Sequence, residues 1–361
     1  MTVPLSRSVP TLMPVAKLNT VVFSKILDRD PEQMNSLMTS IQTVGFFYLD
    51  LSDKYSEGMW NNLRKCGSVM KDWFSEPDAV KSQYKTVSMA SHGYKPIGSQ
   101  AGTHGGRDGW EVLKTGTLEM ASRWGLIPPV EEHYGTFSTF QRQCDYVSRM
   151  LLDRISNALG LGAESSLNKA HRGDCPSKSA VAYLHYIPMD HTGENVGHNM
   201  HTDYGTLTLV FAPQWGLQVL YPTGPSGEDR EWQWVEPRPN CAVVNVADVL
   251  YFLTGRRLIS AVHRVLPLPD QDRYSVTYFL RPSDDTLMPD AAGNMINVVD
   301  WYTKKNNNYE APAHMQDKSF LIGGLYKDGF GNSDEMRTTA AFDHSTLVLL
   351  RRDRPIFGYL L

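Results

Sequence analysis

The stretch His201-Thr202-Asp203-Tyr204-Gly205-Thr206-Leu207-Thr208-Leu209 joins a His-x-Asp pair to an alternating apolar segment. On a β-strand, residues i and i+2 lie on the same face, so the pattern predicts one strand over 201–212 with His201 and Asp203 side by side. His263 lies sixty positions after Asp203 in a second strand-like segment and can complete a set of three metal ligands. Two imidazoles and one carboxylate on one face of an octahedron are typical of non-haem Fe(II) oxygenases. The same ligands also suit zinc, and a lone His-x-Asp pair also occurs on solvent-facing strands.

A second polar pair follows ten positions after His263. In the segment Arg273-Tyr274-Ser275, the arginine and the serine again share one face of a predicted strand. A planar guanidinium and a hydroxyl together suit a carboxylate, although an arginine can equally serve a structural ion pair. Beside a metal site, the pair predicts a clamp for a dicarboxylic 2-oxo acid whose other end chelates the metal.

The segments around these motifs predict a β-rich second half of the chain. Short apolar segments with alternating polar residues are separated by Pro and Gly turns, a spacing that indicates a sandwich or a jelly roll. These predicted strands are 181–187, 201–212, 216–221, 232–235, 242–246, 258–266 and 273–280.

The first half of the sequence is predicted to be mostly helical. Helical periodicity begins at Pro31 and continues over 57–74 and 137–159, whereas 45–51 favours a strand and 88–109 a loop. The chain becomes polar and irregular after residue 282, with a further helix predicted over 298–305.

Composition excludes several classes of protein. The chain has 361 residues, is 41% hydrophobic and carries a formal net charge of -4, which is too apolar and too weakly charged for a disordered protein. Because 35 basic residues stand against 39 acidic ones, neither nucleic acid nor an anionic membrane is expected as the main partner. The longest apolar stretch, 241–253, is interrupted by Asn245 and Asp248, so no membrane span is predicted.

The cysteines and the N-terminal sequence indicate in which cellular compartment the protein is expected. Four cysteines without a Cys-x-x-Cys motif predict reduced thiols, and residues 1–18 lack the continuous apolar segment of a secretory signal. We therefore expect a cytoplasmic protein.

The motifs together resemble the iron(II)- and 2-oxoglutarate-dependent dioxygenases of the isopenicillin N synthase-like family, over roughly residues 15–285. Four features differ from the family pattern. Leu184 stands where the family has asparagine, and Ile187 is inserted before Pro188. Ala247 replaces the glycine before Asp248, and Thr254-Gly255 replaces an Asn-Gly turn. The runs that carry the resemblance are 201–209, Gly216-Leu217-Gln218-Val219, Val244-Asn245-Val246-Ala247-Asp248, 260–265, 273–282, Gly45-Phe46-Phe47, Trp73-Phe74-Ser75-Glu76-Pro77 and Gly93-Tyr94.

The resemblance implies a mainly β fold with flanking α-helices: a double-stranded β-helix (jelly roll) core with an N-terminal helical extension and C-terminal helices. It divides the chain into a mostly helical flank at 1–175, a jelly-roll core at 176–285 and a C-terminal segment at 286–361 that packs on the core.

The resemblance also implies the cofactors, with Fe(II), 2-oxoglutarate and O2 as reactants. It assigns Fe(II) to His201, Asp203 and His263. It assigns 2-oxoglutarate to Arg273, Ser275 and Tyr186. Candidate substrate-pocket residues are Asn245, Phe279, Tyr204 and His198.

The function implied is oxidation of a C–H bond of a small molecule by hydroxylation, desaturation or ring formation. The segment after Pro282 looks like that of fungal members, which favours secondary-metabolite biosynthesis. Two alternatives stay open: an Fe(II) oxidase that needs no 2-oxoglutarate, because such relatives bind a substrate carboxylate with the same Arg-x-Ser pair, and an inactive carboxylate-binding protein.

Overall fold

A computed structural model describes residues 14–53, 56–86, 91–100, 108–163, 166–189, 198–224, 229–289 and 294–310. Its helices are α1 (Phe23–Leu27), α2 (Pro31–Thr43), α3 (Glu57–Phe74), α4 (Asp78–Lys81), α5 (Thr117–Ser122), α6 (Pro128–Glu132), α7 (Tyr134–Ala158), α8 (Asp248–Leu253) and α9 (Val298–Glu310). Its strands are β1 (Thr20–Val22), β2 (Phe46–Asp50), β3 (Gly93–Lys95), β4 (Trp110–Gly116), β5 (Ala180–Tyr186), β6 (His198–His201), β7 (Leu207–Phe211), β8 (Leu217–Thr223), β9 (Asp229–Trp234), β10 (Cys241–Val246), β11 (His263–Val265), β12 (Arg273–Leu280), β13 (Leu287–Pro289) and β14 (Met295–Asn297).

Two sheets form the core. The larger has eight strands in the order β1-β2-β10-β7-β12-β5-β4-β3, and the smaller has four in the order β6-β11-β8-β9. One apolar cluster joins them, because Tyr186 and Val243 of the larger sheet and Val219 and Val265 of the smaller one belong to it. The mainly β architecture with flanking helices is consistent with the jelly-roll core that was predicted.

The larger sheet is covered on both faces. In β2, Phe46 and Tyr48 point into the space between the sheets, whereas Phe47 and Leu49 pack against the helices. All four side chains are almost fully buried. Such strands are continuous apolar runs, since neither face of the sheet meets water.

Local sequence signals set the helix boundaries. The side chain of Asp30 accepts a hydrogen bond from the backbone N–H of Gln33, and Pro31 occupies the first helical position, so α2 begins there. Helix α3 runs over 57–74, the predicted range. Helix α7 lies on the larger sheet, where the ring of Phe140 meets that of Phe211 edge to face at 5.6 Å.

The predicted single strand over 201–212 is wrong, because the chain changes sheets within it. Strand β6 ends at His201 in the smaller sheet and β7 begins at Leu207 in the larger one. The backbone N–H of Thr206 donates to the carbonyl of Leu280 at 2.8 Å. At Gly205, an added Cβ would lie 2.7 Å from that same carbonyl oxygen, so the turn requires glycine.

Other element boundaries also differ from the prediction. The strand expected over 258–266 is only three residues long, and the expected loop at 88–109 contains β3, although 88–90 and 101–107 lie outside the described residues. The helix expected over 298–305 is α9, and 311–361 also lie outside. Four strands from residues 1–175 join the larger sheet; the division of the chain at 175 and 285 stays a prediction.

Two further observations concern the chain as a whole. No helix in the described part of the chain combines the length and the apolarity needed to cross a membrane. All four cysteines are free thiols, and Cys66 and Cys144 are buried.

A buried polar network joins β4 and β5 to the helices. The carboxylate of Glu111 accepts hydrogen bonds from Lys81 Nζ at 2.8 Å, Tyr94 Oη at 2.5 Å and His185 Nδ1 at 2.8 Å. The other ring nitrogen of His185 lies 2.9 Å from Oδ1 of Asp272. Burial alone would lower the pKa of His185, but its bonds to Glu111 and Asp272 outweigh that effect and raise the pKa.

The raised pKa of His185 predicts a pH-dependent contribution to stability. This stabilising contribution is fully present below the ordinary histidine pKa of about 6.5. It is lost as pH rises through the raised pKa that His185 has in the folded protein. We therefore expect the difference in unfolding free energy between wild type and His185→Gln to shrink as pH rises from slightly acidic to alkaline, in denaturant titrations. His133→Gln is the matched control. A difference that is constant or grows with pH would contradict the prediction.

Candidate metal centre and carboxylate clamp

The fold brings the three predicted metal ligands together. His201 ends β6, Asp203 follows two residues later, and His263 begins β11 directly opposite His201 in the smaller sheet. One ligand atom from each residue lies within 4.8 Å of the others. Nε2 of His201 and Nε2 of His263 lie 3.6 Å and 3.8 Å from Oδ1 of Asp203.

Backbone carbonyls fix the orientation of both imidazoles. Nδ1 of His201 lies 2.7 Å from the carbonyl oxygen of Asn199, and Nδ1 of His263 lies 3.1 Å from that of Ala261. A carbonyl can only accept, so both Nδ1 atoms carry the proton and donate. The two Nε2 atoms therefore present lone pairs toward Asp203, the orientation found in metal-binding histidines.

Two hydrogen bonds give the oxygens of the Asp203 carboxylate different partners. Oδ2 accepts from Thr208 Oγ1 at 2.7 Å and from Asn245 Nδ2 at 2.8 Å, which leaves Oδ1 facing the imidazoles. Thr208 and Asn245 are direct neighbours across β7 and β10. The structure therefore places Asn245, a candidate pocket residue, on the carboxylate of Asp203.

The electrostatics of this cluster favour a cation. Burial raises the pKa of Asp203, but the adjacent His263 and His201 and the two hydrogen bonds outweigh it and lower the pKa to about 2. Burial, reinforced by His263 and opposed by Asp203, lowers the pKa of His201 to about 3. At neutral pH Asp203 is therefore ionised and His201 is neutral, the protonation states that a metal ion requires.

The turn that carries Asp203 is anchored by Asp248, which begins α8. The backbone N–H of Asp248 donates to the carbonyl of Asp203 at 2.9 Å. The Asp248 carboxylate accepts from Ser260 Oγ at 2.8 Å, Trp301 Nε1 at 3.2 Å and Lys305 Nζ. Lys305 is fully buried and also donates to the carbonyl of Thr202. Sequence reasoning missed Lys305, because no pattern in the polar C-terminal segment marks it as a residue of the core.

The predicted carboxylate clamp is assembled where β12 meets β5. Arg273 is opposite Tyr186, and its guanidinium carbon lies 4.9 Å from the centre of that ring. Nη1 of Arg273 lies 3.3 Å from Ser275 Oγ, and Nε donates to the carbonyl of Trp215 at 2.8 Å. Arg273 is 1% exposed, and no described carboxylate forms an ion pair with it. This arrangement favours a clamp over a structural ion pair.

Of the remaining candidate pocket residues, His198 contacts the metal cluster, whereas Tyr204 and Phe279 contact Arg281. The ring of His198 stacks on that of His201 at 4.2 Å and on that of Trp110 at 4.5 Å. Tyr204 and Phe279 both flank Arg281, whose guanidinium carbon lies 4.4 Å and 4.8 Å from their ring centres. The sequence patterns did not single out Arg281. It lies one residue after β12, at an even spacing from Arg273 and Ser275, which places it on the same side of the chain.

The chain is similar to known oxygenases in sequence and in fold. Residues 178–282 match the family described as the 2OG-Fe(II) oxygenase superfamily. A 2-oxoglutarate-dependent dioxygenase of Gibberella zeae is 44% identical over 318 residues, which cover 87% of this chain and 94% of that protein. Another, of Glarea lozoyensis, is 33% identical over 318 residues, with 86% and 93% covered. The crystal structure of a full-length Neurospora crassa protein in complex with alpha-KG has a TM-score of 0.65 at 22% identity, covering 80% of this chain and 95% of that one.

Gly216 leaves the space that Arg273 occupies, which predicts a strong effect of substitution. A Cβ at this position would lie 2.6 Å from Arg273 Nε and 2.7 Å from the carbonyl oxygen of Leu266, and φ is +128°. We expect Gly216→Ala to lower the unfolding free energy by about 1–3 kcal/mol through backbone strain alone. Gly67→Ala is the control, because no atom lies within 4 Å of its added Cβ and alanine is the better helix former by about 1 kcal/mol. Equal stability of the two variants in thermal unfolding would contradict the prediction.

Proposed function

The chain belongs to the 2OG-Fe(II) oxygenase superfamily, and we propose that His201, Asp203 and His263 hold its Fe(II) while Arg273, Ser275 and Tyr186 hold its 2-oxoglutarate. The observation that carries this proposal is the convergence of three ligand atoms within 4.8 Å. It is an Fe(II)- and 2-oxoglutarate-dependent dioxygenase that oxidises a small molecule with O2.

The donor set suits Fe(II). Two imidazole nitrogens and one carboxylate oxygen form a facial triad with open positions, and a carboxylate adds the negative charge that a divalent cation needs. Bound there, iron supplies the oxidative decarboxylation of 2-oxoglutarate to succinate and CO2, coupled to oxidation of a substrate C–H bond. Thr208 and Asn245 hold Asp203 in place through Oδ2, and the carbonyls of Asn199 and Ala261 hold the two imidazoles.

The clamp residues bind and orient the co-substrate. Arg273 offers a charged, planar donor group to the distal carboxylate, and Ser275 adds one hydroxyl. Tyr186 lies against the guanidinium of Arg273, so its ring restricts where that group can point. The apolar walls of the two sheets keep water from the reacting centre.

The reaction belongs, we propose, to natural-product biosynthesis in the cytoplasm, and to the isopenicillin N synthase-like branch of the superfamily. The fungal origin of the similar dioxygenases supports the first part. Four cysteines without a disulfide suit a reducing compartment. The Arg-x-Ser pair and the His-x-Asp motif support the branch.

Succinate formation is the test that separates this function from its alternatives. We expect purified protein with Fe(II) and O2 to convert 2-oxoglutarate to succinate, measured by chromatography, with the metal-chelated protein as a blank. An oxidase that needs no 2-oxoglutarate, or an inactive binding protein, would form none. Absence of succinate under these conditions would refute the proposal.

Removal of one ligand should abolish both metal binding and turnover. His201→Ala deletes an imidazole from a three-ligand set, so we expect no Fe(II) binding in anaerobic calorimetry and no succinate. His133→Ala, far from the site in sequence, serves as the control for substitution of a histidine. Fe(II) affinity in His201→Ala that equals that of the wild type would show that the metal lies elsewhere.

Loss of the hydrogen bond to Oδ2 should weaken the metal site without removing a ligand. Thr208→Val keeps the shape of the side chain but removes the donor, and loss of a hydrogen bond that orients a metal ligand reduces metal affinity by about 10–100-fold. The matched control is Thr43→Val, since the hydroxyl of Thr43 caps only its own helix. Unchanged Fe(II) affinity in Thr208→Val would argue against a positioning role for Thr208.

A further inference from the structure

Lys114 is a cation that faces the space between the two sheets. In β4, Leu113 packs against the helices, whereas Trp110 and Val112 face the opposite sheet. Lys114 shares the side of Trp110 and Val112, because side chains alternate along a strand. It is half-buried, and it forms no ion pair or hydrogen bond with any residue in the described ranges.

Arg281 is a second cation on the same side. It follows β12 and is 4% exposed. Nη1 donates to the carbonyl of Lys178, but Nε is buried without a hydrogen-bond partner. Its guanidinium carbon lies over the rings of Tyr204 and Phe279, so Nε is a buried donor that a ligand could satisfy.

Nearby carboxylates do not neutralise this pair. Lys95 is matched by Asp108, with which it forms an ion pair, and Asp203 faces the two imidazoles. Within the described ranges, no carboxylate forms an ion pair with Lys114 or Arg281. Burying a charge without an opposite charge nearby costs folding free energy. Two such cations close together are therefore typical of a site that binds an anion.

We propose that the substrate of this oxygenase carries a carboxylate, which Lys114 and Arg281 bind beside the metal cluster. The inference rests on the function proposed above and names the class of molecule that the same site accepts. A carboxylate matches the edge of a guanidinium through two parallel hydrogen bonds, and an ammonium group adds a point charge.

The strand register brings these two side chains to one ligand. Lys114 is opposite Ala182, which is opposite Thr277 on β12, so the strands of Lys114 and Arg281 are about 10 Å apart. Arg281 lies four residues beyond Thr277, about 13 Å further along the chain, and both side chains are long enough to reach a common group between them. Burial, reinforced by the positive charges of Arg281 and Lys95, lowers the pKa of Lys114 to about 7. A carboxylate bound beside Lys114 raises that pKa and keeps the ammonium charged at neutral pH.

The same register separates this pair from the 2-oxoglutarate clamp. Arg281 lies eight residues after Arg273, or about 26 Å along an extended strand. Arg281 instead contacts Tyr204, the neighbour of Asp203 in sequence, and Phe279 is opposite Thr208, which donates to Asp203. Two carboxylates, one on the co-substrate and one on the substrate, can therefore be held at once on different sides of the metal cluster.

Binding of matched acids and esters tests the proposal. Wild-type protein loaded with Fe(II) and saturated with 2-oxoglutarate under argon is titrated by calorimetry with small aliphatic and aromatic monocarboxylates and with the methyl ester of each. Saturation with 2-oxoglutarate keeps the probes from Arg273. We expect the best acid to bind at least about tenfold more tightly than its ester, equivalent to about 1.4 kcal/mol.

Substitution then assigns that preference to the two cations. Lys114→Gln and Arg281→Gln should each weaken the acid about tenfold but change ester binding little, so that the acid-to-ester ratio approaches one. A merely structural role would weaken both probes alike. Lys65→Gln, an exposed lysine on α3, should keep the wild-type ratio.

Several results would overturn the proposal. They are an equal affinity for acids and esters, binding of neither, or an unchanged acid-to-ester ratio in both variants. If the wild type forms succinate but shows one of these results, the substrate inference fails and the oxygenase function stands. If it forms no succinate, the function fails and the inference fails with it.

Discussion

The structure of the site depends on how one buried carboxylate, that of Asp203, is held. Oδ2 is occupied by Thr208 and Asn245, its backbone carbonyl is fixed by Asp248, and Oδ1 alone is left to face the imidazoles. A carboxylate in this position must keep its charge in spite of burial, and the neighbouring histidines and donors make that favourable. Asp203 lies in the turn between β6 and β7, where the chain changes sheets, and its Oδ1 faces both histidines.

Burial of both faces of the larger sheet has consequences for the chemistry. The helices cover one face and the smaller sheet covers the other, so any polar side chain that points inward lies in a water-poor environment. Burial of a charged group without a partner lowers stability, so such groups are few. Arg273, Lys114 and Arg281 point there without a carboxylate partner among the described residues. These three side chains are the basis of the two proposed carboxylate sites, one at Arg273 and the other at Lys114 and Arg281.

The sequence predicted several helices and strands to within a few residues, but it did not predict where the chain changes sheets. Helix α3 was predicted residue for residue, since caps and periodicity are local. Strands β5, β10 and β12 were also predicted to within one residue, since each is a short apolar segment bounded by turn residues. The single strand predicted over 201–212 is wrong because the hydrogen bonds that divide it involve Leu280 and Asp248, which lie far along the chain.

The types and spacing of a few residues were enough to predict the chemistry of this protein: a His-x-Asp pair, a distant histidine and an Arg-x-Ser pair, on a chain of near-neutral charge. The tertiary structure alone decided which atom of each residue is free to act. Asn199 and Ala261 orient the imidazoles, Lys305 reaches the turn between the ligands from the C-terminal helix, and Lys114 faces the space between the sheets on the side of Trp110 and Val112. Asn199 and Ala261 are each two residues from the histidine they orient. Lys305 is 103 residues from Thr202 and is brought there by the packing of distant segments, which a local sequence pattern does not encode.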